Sequence, residues 1–258
     1  MKPFVLGVDG CPAGWIGCAL PMNGPAQWLL FDSLAEVFSL PLPPALTLVD
    51  VPVGLSDSCP RRCDCEARRR LGTRGCCVFP APVRGVLACP DHDSAKIASI
   101  AASGSSIGIQ SWNIVPKIRD ADEQLQVDPN RQCLMRECHP ELCFATLGSG
   151  PVKIRKKRVA GRTARLGILR EWLPLSDEIY HCGLEQFPRK MVASDDLIDA
   201  MVCAVTAAGV WDGSLRTLPE LPEHDGRGLA MEMVYRDGAA ALAAVGGTPG
   251  MFVRGPVP

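Results

Sequence analysis

The chain has 258 residues, 47% of them hydrophobic and 21% charged, with a formal net charge of -1. That composition excludes a disordered chain, and the length is enough for a substantial core in one large domain or two small ones. The near-zero charge excludes global attraction to nucleic acid, so any such contact must be local, and no run of about eighteen apolar residues is present to span a membrane.

The first segment, "FVLGVDG", reads as an apolar strand ending at Asp9, not as a secretory signal. Gly10, Pro12 and Gly14 mark a turn, and Trp15–Leu20 resumes as a second strand, a hairpin with a long loop. Gln27–Phe31 is a third strand, followed by a short helix over "SLAEVFSL" capped by Asp32 or Ser33 and stopped by Pro41, Pro43 and Pro44. Ala45–Asp50 is a fourth strand, and like the first it ends in an aspartate. A helix is predicted over "CDCEARRRLG", a Pro-rich loop over "VFPAPVRGVLACPD", and a second helix from Asp93 to Ala102.

Pro116 suits a first helical turn, which predicts a helix over Ile118–Leu125 with Lys117 near its start. A cation is unfavourable there, so Lys117 calls for an acid or a phosphate as partner. Arg131–Cys138 reads as a fifth strand containing a third strand-end acid, Glu137. Pro140 holds His139 extended, and a helix starts near Glu141. The strip from Lys153 to Arg170 is locally basic, and a helix is predicted over Gly161–Leu173. Lys157, Arg162 and Arg165 in this strip, with Lys117, are the candidates for holding phosphate by salt-dependent attraction.

"SDDLIDAMVCAVTAAGVW" is a helix whose acids crowd its first turns. Ser194 or Asp195 is a good N-cap, but Asp199 shares a face with both Asp195 and Asp196 and precedes a nearly all-apolar run. A last strand covers Ala230–Tyr235, ahead of a Gly- and Ala-rich tail.

The 13 cysteines, an odd number behind no signal segment, argue for reduced thiols in a cytoplasmic protein. Cys18, Cys133, Cys182 and Cys203 read as small core residues. Cys59, Cys63, Cys65, Cys76 and Cys77 miss the usual spacings of zinc knuckles, which leaves incidental thiols or a structural metal as alternatives.

Carboxylates at two strand ends and on a late helix are what metal-dependent phosphodiester hydrolysis needs, because several must converge on hard cations. Histidine-poor, aspartate-rich ligation suits Mg²⁺ or Mn²⁺ better than zinc. Asp9, Asp50 and the Asp196/Asp199 pair offer that chemistry, and there is no P-loop.

The ordered blocks "GVDGCPAGW", "DVPVGL", "CDCEARRRLG", "VFPAPVR", "IQSWNIVPKI", "ECHPELCF", "AGRTARL", "DDLIDA" and "GLAMEMVY" resemble the DUF429 family of predicted nucleases. The resemblance implies an α/β, RNase H-like fold with a mixed five-stranded central sheet flanked by helices. It implies one such domain over residues 1–240 with family-specific insertions, then a tail over 241–258. Asp9 would be the first-strand metal ligand, Asp50 the fourth-strand acid and Asp199 or Asp196 the late-helix acid, supplemented by Glu137. The expected activity is hydrolysis of DNA or RNA with Mg²⁺ or Mn²⁺. A nucleotide-binding or phosphotransfer enzyme, or a non-catalytic binding protein, is the alternative on the same fold.

Overall fold

A computed structural model describes residues 3–58 and 60–244. Its centre is a five-stranded sheet made of β1 (Phe4–Cys11), β2 (Gly14–Pro21), β3 (Gln27–Phe31), β4 (Thr47–Val49) and β5 (Met135–Glu137), in the order β3-β2-β1-β4-β5. The leading three strands are antiparallel; β4 and β5 run parallel to β1. This mixed order flanked by helices matches the RNase H-like arrangement expected from the resemblance. The β1–β2 connection is tighter than predicted: Cys11 pairs with Gly14, leaving only Pro12–Ala13 as the turn.

Between the third and fourth strands lies α1 (Ala35–Phe38), shorter than predicted, and α2 (Arg62–Leu71) follows the exit from β4. Next come α3 (His92–Ser103), α4 (Ile109–Asn113) and α5 (Val115–Val127). The predicted long strand from Arg131 is instead α6 (Asn130–Leu134) leading into the short β5. Pro129 and the Asp128 carboxylate, which accepts from Asn130 N at 2.9 Å, start this turn of helix ahead of the strand. The later helices are α7 (Pro140–Leu147), α8 (Val159–Trp172), α9 (Ser176–Gln186) and α10 (Ser194–Ala207). Sequence patterning missed α9. It also missed β6 (Leu215–His224), which is largely exposed and pairs with β7 (Ala230–Arg236) as a separate antiparallel ribbon. One parallel bridge, Cys138 to Val234, ties that ribbon to the end of β5. A short α11 (Gly238–Ala244) closes the described chain and takes in the first residues of the predicted tail, 241–244; residues 245–258 lie outside the described ones.

The period of two in β1 divides the interior into two cores. Leu6 and Val8 pack with Trp15, Phe31, Val49 and, from α5, Ile118 and Leu125. Val5 and Cys11 face the other way, into a core built on α10. Gly7 shares that face, and there the helix meets the strand backbone. A Cβ at position 7 would come within 2.1 Å of Ala204 N and 2.2 Å of Ala200 O. Gly7→Ala is therefore expected to lower stability by about 1–3 kcal/mol, the usual range for overpacking. Gly17→Ala, whose Cβ would meet movable side-chain atoms of Phe31 and Leu6, should lose less. Thermal unfolding of the two variants checks the order; equal melting temperatures would contradict the close approach. No helix among the described residues is long and apolar enough to cross a membrane.

Candidate metal centre

β1 and β4 are parallel neighbours with Val8 level with Val49, so the residues that follow, Asp9 and Asp50, are level too. Asp50 N donates to Val8 O at 2.9 Å and fixes that register past the end of β4. α10 crosses the same face and lowers Asp199 from its second turn. One carboxylate oxygen from each of Asp9, Asp50 and Asp199 lies within 4.8 Å of the others. Asp9 and Asp199 are buried and Asp50 is half-buried. Two parallel strands and one helix thus bring acids together at the strands' carboxyl ends, the edge at which open α/β sheets bind ligands.

Burial and mutual repulsion make this cluster unfavourable when fully ionised. Burial, then Asp50 and Asp199, pushes Asp9 well above the ordinary carboxylate value. Burial, then Asp199, pushes Asp50 up to about 8. Burial raises Asp199 as well, against the opposing pull of Lys156, whose Nζ lies 2.5 Å from Asp199 Oδ2. Neither Asp9 nor Asp50 has an ion-pair partner among the described residues. Close, underpaired, hard oxygen donors fit a divalent cation, which would relieve the repulsion that raises these pKa values.

The other acids have different duties. Ala193, not Ser194 or Asp195, is the N-cap of α10, and Asp196 reaches back to accept from Ala193 N at 2.9 Å. Asp196 therefore ties down the helix start. It lines the cavity, with burial lifting it to about 6, but it lies outside the close triad. Asp195 approaches Lys156 at 3.7 Å. Glu137 also lies outside the triad: it is buried against Arg61, whose Nη1 and Nη2 lie 2.7 and 2.9 Å from its two oxygens, and it accepts from Val53 N at 2.7 Å. Its charge is already matched by a guanidinium, which corrects the expectation that it supplements the metal ligands.

The triad forms the floor of a cavity of about 1120 Å³ whose wall is cationic: Arg74, Lys117, Arg155, Lys156, Lys157 and Arg158 line it. Lys117 packs its ammonium 4.5 Å from the centre of the Trp15 ring and donates to the Gly14 carbonyl, and burial lowers its pKa. Lys157 lines the cavity and is exposed. Arg162 donates to Lys157 O at 3.1 Å from outside the lining. Arg165 departs most from expectation. It is fully buried and grips both oxygens of Glu141, at 2.6 and 2.8 Å, so it has no face left for a phosphate. Sequence reasoning did not single out Arg74 from the arginines around it, nor Lys156 from its basic neighbours. The only signal was the density of "KIRKKR", which does not say which cation turns inward.

His139 also lines this cavity, half-buried, with Nε2 3.3 Å from Cys77 O and its pKa lowered by burial. Cys18 and Cys203 are buried as predicted, whereas Cys133 and Cys182 are exposed on short or amphipathic helices where an apolar face is not required. Cys63, Cys65, Cys76 and Cys77 are free thiols and join no metal-binding group among the described residues; Cys59 lies outside them.

A family model described as "Protein of unknown function (DUF429)" matches residues 7–224, which include all three acids of the triad. No curated protein matches the chain. No solved structure matches it either.

Proposed function

The chain belongs to the DUF429 family, and we propose that it hydrolyses phosphodiester bonds of nucleic acid with the help of a divalent metal ion. The observation that carries this reading is the pairing, in one cavity, of a buried carboxylate floor with a cationic wall. Asp9, Asp50 and Asp199 would hold the ion. Mg²⁺ or Mn²⁺ bound there would supply Lewis-acid stabilisation of the reacting phosphate and a more acidic water. The chain's own part is positional. Lys117, Lys157, Arg155 and Arg158 attract the polyanion and place a phosphate over the acids, without neutralising the acids themselves. Arg162 braces Lys157 through its carbonyl.

The cavity is large enough for a nucleotide, which supports phosphotransfer as a second reading. Incubation with Mn²⁺ and single-stranded, duplex or branched DNA and RNA separates the two. Cleavage is expected, lost with EDTA and rising from pH 6 to pH 8 as the raised carboxyl groups ionise. Protection from unfolding by a nucleotide, with no polynucleotide cleaved at any pH, would replace the first reading with the second.

A further inference from the structure

Within the basic segment 153–158, Lys156 behaves unlike its neighbours. Arg155, Lys157 and Arg158 are exposed, while Lys156 is turned inward onto Asp199 and Asp195, at 2.5 and 3.7 Å. Among the described residues it is the one side chain ion-paired to any of Asp9, Asp50, Asp195, Asp196 and Asp199. The remaining acids of the cavity, Glu137 and Glu141, are matched elsewhere, by Arg61 and Arg165.

The seat of this lysine is built from α8. Arg158 N donates to Arg155 O at 3.1 Å, closing a turn with Lys156 and Lys157 at its centre. Gly161 lies directly beneath: a Cβ there would come within 2.1 Å of Arg155 O. One helical turn further on, Arg165 donates to Ile154 O at 3.1 Å while Glu141 locks its guanidinium. Gly161 and Arg165 share a helix face and together clamp the turn. This gives the motif "AGRTARL" a physical role that direct phosphate contact does not explain.

We propose that Lys156 is an internal counter-ion, which holds the acidic cluster together in the metal-free protein and must be displaced from Asp199 before a divalent cation can bind. The inference rests on the metal-dependent reading above. An ammonium and a divalent ion on the same carboxylate repel each other at contact distance, and burial leaves that repulsion poorly screened. The exchange also has a use. The displaced ammonium stays tethered at the cavity wall beside Asp195, in the same cavity that a substrate phosphate would enter. The device keeps the three close carboxylates from forcing the floor apart when no metal is present, and it links metal loading to the appearance of a new phosphate ligand.

Mn²⁺ binding tests this directly, read from the free-ion EPR signal at pH 8 without any substrate. Lys156→Met is expected to bind Mn²⁺ about tenfold or more tightly than the wild type, because a competing charge is gone. Lys156→Arg, which keeps the charge, should bind as the wild type does. Gly161→Ala keeps the lysine but unseats its turn, and should shift toward the tighter value. If the wild type binds Mn²⁺ and Lys156→Met binds it equally or more weakly, the counter-ion inference is overturned and the metal centre stands. If neither binds Mn²⁺ saturably, both fall. Should Gly161→Ala not fold, the comparison of Lys156→Met with Lys156→Arg decides alone.

Discussion

Asp9→Asn is expected to lose metal-dependent cleavage by more than about a hundredfold, the upper end for removing a group one shell further from a metal. The same variant should melt at a higher temperature than the wild type at pH 8 without metal. The two effects have one cause. Burial first, and then the charges of Asp50 and Asp199, raise the Asp9 pKa above the value of 3.8 that it has when free. A carboxyl group whose folded pKa exceeds its unfolded pKa makes the ionised native state costly above the unfolded value, and protonation removes that cost as pH falls. Asparagine keeps the shape and removes the charge, so its stability gain is present at pH 8 and closes as pH falls toward the free value of 3.8. Activity and melting temperature should therefore move in opposite directions. Full cleavage by Asp9→Asn would end the proposal that Asp9 holds the metal. Lost cleavage together with a lower melting temperature at pH 8 would instead mean that Asp9 stabilises the fold, and the electrostatic account of the floor would be wrong.

The close triad was legible because its members sit where sequence patterns are strongest. Asp9 and Asp50 each follow an apolar run that reads as a strand, and parallel pairing then brings the two ends level. Asp199 was conspicuous as an acid on a helix otherwise committed to burial. What stayed illegible depends on a distant partner. Arg165 and Lys157 look alike in a basic strip, and only the position of Glu141 on α7 decides that Arg165 is buried. Arg61 was one arginine among many until Asp64 and Glu137 closed around it. Asp196 resembled a ligand because a helix cap and a metal ligand call for the same side chain at the same place; the hydrogen bond to Ala193 N assigns the cap. β6 escaped notice because an exposed ribbon strand with Pro219 and Pro222 lacks the alternation that marks a half-buried strand. The wall was therefore legible as a charge density and illegible as a set of roles, which explains why the floor could be named residue by residue and the wall could not.

Arg61→Met is expected to destabilise the protein by about 3–5 kcal/mol at pH 8, the range for removing one partner from a buried ion pair. The guanidinium is 2% exposed and spans two acids, Asp64 at 2.6 Å and Glu137 at 2.7 Å. It also donates to the carbonyls of Val53 and Gly54, at 2.9 and 3.2 Å. Methionine fills much of the space but leaves two buried carboxylates without a cation. Burial already raises Glu137 against the opposing pull of Arg61, so loss of that pull drives it further up. The deficit should therefore shrink as pH falls and the unpaired acids take protons in the folded state, and it should be largest above neutrality. Replacing both charges, Arg61→Met with Glu137→Leu, should recover part of the loss, because an apolar pair avoids the desolvation that an orphaned charge suffers. The effect reaches the metal floor through the backbone. Val53 and Gly54 lie just beyond Asp50, so freeing their carbonyls loosens the segment that carries one of the three acids, and Mn²⁺ affinity should fall in Arg61→Met even where the protein remains folded. Chemical denaturation at pH 5 and pH 8, alongside Mn²⁺ binding, separates the two consequences. A variant that unfolds like the wild type at pH 8 would show that this network does not secure the fold, and unchanged Mn²⁺ affinity would show that Asp50 is held by the sheet alone.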